Sequence, residues 1–151
     1  MEMYDELGLI YSEALQEVIT RMSGINLQVK SQEKDSCFEE MTGLMILNGK
    51  KSGMLFVSAK KDDLVVLCSG IIGVKPAQVT DKDIEDTVCE LVNMAAGNAK
   101  LRLSGTDFMS ELTPPLAIKG RDMVIITKER THVISGTLSN GEITVKFKVV
   151  Y

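Results

Sequence analysis

One segment, residues 81–103, constrains the fold more than any other part of the chain, because it carries the local signals of a single long helix. Thr80 precedes it as an N-cap, and Asp83 stands three residues later in the position of a capping box. Acidic residues crowd its first turns, while Lys100 and Arg102 stand in its last turn, and the helix dipole favours both placements. Apolar residues recur along the segment at helical spacing. We therefore predict one helix over residues 81–103.

The rest of the chain predicts two more helices and a set of strands joined by hairpins. Apolar spacing predicts a long helix over 5–22 and a short one over 61–72. Apolar runs predict strands over 25–30, 38–47, 53–59, 108–112, 116–119, 123–128, 131–138 and 142–150. Asn48-Gly49 and Asn140-Gly141 predict hairpin turns, because both residue types tolerate a positive φ. We expect the α+β class, with two long helices packed on a mainly antiparallel β-sheet.

Composition excludes several classes of function. The length of 151 residues fits a single domain, 1–151, and 44% hydrophobic residues are enough for its core. The net charge of −4 argues against a nucleic-acid ligand, since phosphate backbones select basic surfaces. The chain has no apolar run long enough to cross a bilayer, and its first residues are acidic. We therefore expect neither a membrane span nor a signal peptide.

The cysteines and the histidine predict no catalytic or metal centre. Cys37, Cys68 and Cys89 are odd in number, widely spaced and flanked by apolar residues, which favours reduced core thiols in a cytoplasmic protein. Cys89 has no histidine near it in sequence, so we do not expect a thiol nucleophile. His132 is the only histidine and cannot by itself build a histidine metal site.

A line of polar residues runs along the predicted helix 81–103, opposite its apolar face. At about 100° per residue, Asp86, Glu90, Asn93 and Gly97 fall within roughly 60° of one another. Polar helix faces are usually only solvated. Asn93 and Gly97 are nevertheless poor helix formers in mid-helix, and glycine costs about 1 kcal/mol against alanine. A bare Gly97 would let another backbone approach closely, which favours a binding role for this line.

These residues resemble the motif of the CheC/CheX/FliY phosphatases: an acidic or Ser residue, three positions, Glu, two positions, Asn, and a later Pro. The matching run is Asp86-Thr-Val-Cys-Glu90-Leu-Val-Asn93. Twenty residues separate Asn93 from Pro114 and twenty-one separate it from Pro115, slightly fewer than is usual in the family. Residues 93–100 and 14–22 are also similar to helices of CheX proteins. The resemblance thus covers most of the chain.

The number of such sites is expected to be one, as in CheX. CheC-like members of the family carry two Glu-x-x-Asn motifs on repeated helices. In this chain the other long helix offers Ser12, Gln16 and Ile19 at the corresponding spacing, and two of these three residues do not match.

The resemblance implies a phosphatase that acts on an aspartyl-phosphorylated, CheY-like response regulator. It implies that Asn93 positions the hydrolytic water and that Glu90 pairs with a lysine of the partner. A carboxamide suits the first task, because its oxygen accepts from water and its nitrogen donates without adding charge. Asp86, Gly97 and the later proline would contact the partner peripherally. The chain would need no cofactor of its own, since the regulator carries Mg²⁺.

The resemblance also implies a homodimer, and the many hydrophobic strands available for edge pairing favour one. Two functions of another class stay open: a module that binds a response regulator without hydrolysing its phosphate, and a structural scaffold. Gly49-Lys50-Lys51-Ser52 matches a phosphate-binding loop only in part. Gly43 lies one residue too far upstream, and the run falls in a predicted hairpin rather than between a strand and a helix.

Overall fold

Three helices pack against an antiparallel sheet in the computed structural model, which describes residues 3–31, 38–128 and 131–151. The helices are α1 at Met3–Ser23, α2 at Lys61–Ile72 and α3 at Asp81–Arg102, and a short 3₁₀ turn at Pro76–Gln78 precedes α3. The predicted capping box begins α3. The Thr80 hydroxyl accepts a hydrogen bond from the Asp83 N–H at 3.1 Å, and the Asp83 carboxylate accepts one from the Thr80 N–H at 2.9 Å.

Within the described residues the sheet has seven strands, and all of their pairings are antiparallel. The strands are β1 at Gln28–Ser31, β2 at Met41–Gly49, β3 at Gly53–Ala59, β4 at Ser110–Leu112, β5 at Leu116–Lys119, β6 at Val133–Ser139 and β7 at Thr144–Val150. Their order is β1-β6-β7-β3-β2-β4, and β5 also pairs with β2. β4 and β5 therefore follow one another along the same edge of the sheet, separated by residues 113–115.

A single buried cluster joins the helices to the sheet. In β7 the buried Val145, Phe147 and Val149 alternate with the half-buried Thr144 and Lys146, as the period of a strand requires. α3 contributes the apolar face that its sequence predicts: Ile84, Val88, Leu91, Ala95 and Ala99. The α+β class and the mainly antiparallel sheet are confirmed. The helical layer contains the short α2 in addition to the two long helices.

The hairpin predicted at Asn48-Gly49 is confirmed, because β2 pairs antiparallel with β3 up to Leu47 and Gly53, but the turn lies slightly later in the chain. Asn48 and Gly49 belong to β2, where they pair with Glu111 and Ser110 of β4, and the chain turns over the next three residues instead. Pairing with a third strand extends β2 beyond the point where a simple hairpin would end. The second turn is confirmed: Gly141 has φ +92°, and the Asn140 side-chain oxygen accepts hydrogen bonds from the backbone N–H groups of Glu142 and Ile143.

The strand predicted over 123–128 is also wrong. This segment pairs with no strand among the described residues, although Phe38 donates a backbone hydrogen bond to the Met123 carbonyl. Asp122 adopts a positive φ of 55° just before it, which interrupts the extended backbone that follows β5. The apolar side chains of the segment remain outside the core, and Ile126 is 91% exposed.

The contact between α3 and β2 depends on a glycine. A Cβ atom at Gly43 would lie 2.6 Å from the Val88 carbonyl oxygen and 3.0 Å from a methyl carbon of Val92. The first distance is shorter than any ordinary contact, so no side chain fits between this strand and this helix. Gly43 therefore sets how closely α3 approaches the sheet, and with it the position of the outward face of α3.

We predict that Gly43→Ala destabilises the protein by about 1–3 kcal/mol, because an added methyl group in a closely packed contact forces backbone shifts. Urea unfolding followed by circular dichroism measures the change. Gly97→Ala is the matched control, since a Cβ at Gly97 meets no heavy atom within 4 Å. An unchanged urea midpoint for Gly43→Ala would show that α3 does not depend on this close contact.

Candidate functional site

The outward face of α3 is bordered by α1 on one side. The guanidinium group of Arg102, in the last turn of α3, forms ion pairs with Glu13 at 2.8 Å and Glu17 at 2.7 Å, both on α1. The Asn98 amide also donates to Glu17 at 3.2 Å. These bonds orient α1 and α3 antiparallel, and they draw two polar side chains of α3 towards α1.

The edge of the sheet borders the other side of α3. Glu85 pairs with Lys119 of β5 at 3.4 Å, and Lys100 pairs with Glu111 of β4 at 3.3 Å. The two ion pairs align α3 antiparallel to the edge strands. Residues 113–115 lie between the two pairs along the edge.

The predicted prolines lie on the flank of α3 that meets the edge of the sheet. Along α3, Glu90 and Asn93 lie between Glu85 and Lys100, which form the two ion pairs. Along the edge of the sheet, Pro114 and Pro115 lie between the partners of those residues, Glu111 and Lys119. The Thr113 N–H bonds to the Ile46 carbonyl at 3.3 Å, which ties this linker to β2. Pro114 is exposed and Pro115 is half-buried. The fold thus places the linker beside the middle of α3.

Glu90 differs from the other acidic residues of α3 in having no partner. Four carboxylates are bonded within the fold: Asp81 to Lys61, Asp83 to the Thr80 N–H, Glu85 to Lys119 and Asp86 to Lys82. Glu90 is exposed and forms no hydrogen bond or ion pair with any described residue. An unpaired carboxylate on a helix surface remains available to a cation from outside.

Asn93 is half-buried, although it lies on the polar line opposite the apolar face of α3. It lies seven residues before Lys100 and therefore on the same side of α3, the side that meets β4. Its amide forms no hydrogen bond with any other described residue. Asn93 thus presents a polar group that its own fold leaves unused, next to the carboxylate of Glu90. Asp86 is exposed, but its ion pair with Lys82 at 3.4 Å already occupies it in part.

Gly97 lies on the same line and has no packing role in the fold. A Cβ atom there would meet no heavy atom within 4 Å, in contrast to the tight contact at Gly43. Glycine in a helix interior lowers helix stability because it gains the most freedom on unfolding. Nothing in the described part of the chain compensates for that loss.

A cleft of about 260 Å³ opens beside Asp86 and Glu90, and sequence reasoning missed it. Its apolar wall consists of Met22, at the end of α1, with Ile71 and Ile72, at the end of α2. Ile72 is 47% exposed. The available signal was the apolar character of the last turns of two helices, immediately before Gly24 and Gly73. The predicted line on α3 therefore borders a concave surface.

A family model described as "Chemotaxis phosphatase CheX" matches residues 41–138, about two thirds of the chain. This region contains the whole of α3 and both candidate prolines. The chain belongs to the CheX family. No curated protein matches it in sequence.

Solved structures of CheX and CheC-like proteins share the fold of this CheX-family chain. A chemotaxis protein CheX from Vibrio vulnificus is 20% identical, with a TM-score of 0.82 over 95% of this chain and 97% of that one. A CheC-like superfamily protein from Shewanella sp. PV-4 is 20% identical, with a TM-score of 0.83 over 99% and 98%. CheX in a complex with CheY, BeF₃ and Mg²⁺ from Borrelia burgdorferi is 17% identical, with a TM-score of 0.78 over 94% and 96%.

The corresponding positions of α1 do not form a second line in this CheX-family chain. Ser12 is buried and donates to the Gly8 carbonyl at 2.7 Å, and Ile19 is fully buried in the core. The Gln16 amide donates to the Leu27 carbonyl at 2.7 Å. All three side chains are occupied within the fold, which supports the expectation of a single site.

The cysteines of the described part of the chain are free thiols. Cys68 is buried as predicted, Cys89 is half-buried, and Cys37 lies outside the described residues. Burial raises the pKa of the Cys89 thiol, and the carboxylates of Asp86, Glu85 and Glu90 raise it further. The raised pKa disfavours the thiolate form of this side chain.

Among residues 3–31, 38–128 and 131–151, no three His, Cys, Asp or Glu side chains are grouped to hold a metal ion. None of the described helices is both long enough and apolar enough to span a membrane.

We predict that Gly97→Ala stabilises the isolated domain by about 0.5–1 kcal/mol, because alanine is the better residue in a helix interior and its methyl group has room. Thermal and urea unfolding of the purified chain measure the change. A lower stability for Gly97→Ala would mean that the glycine serves the fold rather than an external surface.

Proposed function

We propose that this chain dephosphorylates an aspartyl-phosphorylated, CheY-like response regulator, and that α3 docks over the phosphorylated aspartate. The observation that carries the proposal is the pair Glu90 and Asn93, two polar side chains on one outward line that form no bond with any other described residue. Membership of the CheX family supports the reaction class. The complex of a structurally similar CheX with CheY, BeF₃ and Mg²⁺ supports the partner class.

Asn93 acts by holding water in line with the phosphorus. Its amide oxygen accepts a hydrogen bond from the water, and its amide nitrogen donates to a phosphoryl oxygen. The water oxygen bonds to phosphorus as the bond to the aspartyl oxygen breaks, so inorganic phosphate leaves and the regulator's carboxylate is restored. The regulator supplies Mg²⁺ and a lysine, so positioning is the main contribution required of α3.

Glu90 acts in docking, through a charge-assisted hydrogen bond to that lysine of the regulator. Its lack of an internal partner suits this role, because no existing ion pair has to break when the complex forms. Asp86, already paired with Lys82, contributes less. Gly97 and the linker with Pro114 and Pro115 contact the regulator at the periphery, beside the middle of α3.

A homodimer in the cytoplasm belongs to the same proposal. The exposed apolar segment 123–128 supports a second copy of the chain, because Val124 and Ile126 are 58% and 91% exposed and pair with no described strand. Binding without hydrolysis is the second candidate function. The half-buried position of Asn93 favours this second function, because burial restricts how far the amide extends towards a bound phosphoryl group.

We predict that Asn93→Ala lowers the turnover number for phosphate release and leaves binding of the regulator largely intact. The barrier should rise by about 2–4 kcal/mol, as when one preorganised polar group is removed from a catalytic site. A time course of phosphate release at several regulator concentrations measures the turnover, and binding is measured on the regulator carrying beryllofluoride.

Asn98→Ala is the matched control for this experiment, because Asn98 lies on the same helix but bonds to Glu17 of α1. It should retain the wild-type turnover number. If Asn93→Ala releases phosphate as fast as the wild type, the chain is a binding module and the catalytic role of Asn93 is wrong.

We predict that Glu90→Ala weakens binding of the regulator, and that Glu90→Lys weakens it further by placing two cations together. Added salt should weaken the wild-type complex more than the Glu90→Ala complex, because the screened interaction is already absent from the variant. Titrations at low and high salt measure both effects. Asp86→Ala is the control and should change the affinity least; equal salt dependence of wild type and Glu90→Ala would contradict the docking role.

A further inference from the structure

Apolar side chains continue the outward line of α3 on the side of Glu90. Met94 and Leu101 are 43% and 80% exposed, and Gly97 lies between them at helical spacing on the same side. Leu101 is the most exposed large apolar residue of the described helices. We call Met94, Gly97 and Leu101 the apolar strip.

The fold keeps the apolar strip uncovered, because the long polar side chains around it are bonded away from it. Asn98 and Arg102 bond to Glu17 of α1, on one side. Lys100 bonds to Glu111 of β4, on the other side. These side chains would otherwise be able to fold over Leu101 and shield it from water. The second half of α3 therefore presents an apolar outer surface between two rows of occupied polar groups.

The apolar strip lies within reach of whatever docks on Asn93. A standard protein interface covers about 800 Å² on each partner, which corresponds to a disc with a radius of about 16 Å. Leu101 is eight residues from Asn93 on the same side of the helix, or about 12 Å at the rise of an α-helix. A globular partner centred on Asn93 therefore covers Gly97 and Leu101 as well.

We propose that the apolar strip is a docking surface for the same CheY-like response regulator and determines which regulators the chain accepts. This inference rests on the proposed function, since the regulator is placed on α3 by Glu90 and Asn93. The regulator must carry an apolar patch about 12 Å from its phosphorylated aspartate, at the distance of Leu101 from Asn93. Gly97 lets the regulator's backbone approach α3. Met94 and Leu101, which lie on either side of Gly97 along the helix, are then buried against the regulator.

The strip contributes to affinity rather than to the chemical step. Leu101 is too far from Asn93 to touch the water or the phosphoryl group. Its burial stabilises the complex before and during the reaction equally, and such uniform binding lowers KM without changing kcat. A regulator with a charged residue opposite Leu101 would bind less well, because that charge would lose water without gaining a partner.

The test compares Leu101→Ser with Leu9→Ser in the full chain. Leu9 is a matched control, since it is a half-exposed leucine on α1. It lies one turn before Glu13, which pairs with the end of α3, and is therefore about 20 Å from Asn93 along the helix axes. The probe is a CheY-like response regulator of the same organism, carrying beryllofluoride and Mg²⁺ for binding and phosphate for turnover. Leu101→Ser should weaken binding about tenfold and raise KM equally, with kcat unchanged.

Leu101→Met should keep the wild-type affinity, because it restores an apolar side chain of similar size, and Leu9→Ser should change nothing. If Leu101→Ser binds as tightly as the wild type while Asn93→Ala still loses turnover, the docking role of the apolar strip is wrong and the proposed function stands. A loss of kcat with unchanged affinity would also overturn the docking role of Leu101. If the wild-type chain neither binds nor dephosphorylates the regulator, both proposals fall.

Discussion

The close contact of α3 with β2 is the constraint on which the rest of the structure depends. Gly43 allows the backbone of β2 to lie against Val88 and Val92, and this contact determines how closely the buried apolar side of α3 approaches the sheet. Once that side is fixed, helical geometry places Glu90, Asn93 and Gly97 on the opposite side. The two glycines have opposite roles: Gly43 is required by the packing of the fold, whereas Gly97 has open space around it.

Ion pairs with neighbouring elements occupy several polar residues of α3. Those on the flanks bond to α1 or to the edge of the sheet, as Arg102 does to Glu17 and Glu85 does to Lys119. Individually such exposed pairs add little stability. Together they hold long side chains away from the outward line, so that Glu90 and Asn93 stay free of internal partners. Both side chains are therefore available to another molecule.

Local patterns predicted most of the elements, and their failures have a common cause. The capping box at Thr80 and the turn at Asn140 depend on neighbouring residues only, and both are confirmed. The hairpin predicted at Asn48-Gly49 forms, but its turn comes later because Ser110 and Glu111 of β4, which are distant in the chain, pair with these two residues. The strand predicted over 123–128 is wrong because strand propensity does not provide a pairing partner.

The sequence by itself determined that α3 exists, where it begins, and which residues share its outward side, because capping and helical period depend only on neighbours along the chain. Only the tertiary structure decided that Glu90 alone among the α3 carboxylates has no partner in the described fold, and that Met22 and Ile72 form a cleft beside it. The physical reason is that ion pairs and clefts are made by residues that are distant in the chain, and packing determines which of these residues meet.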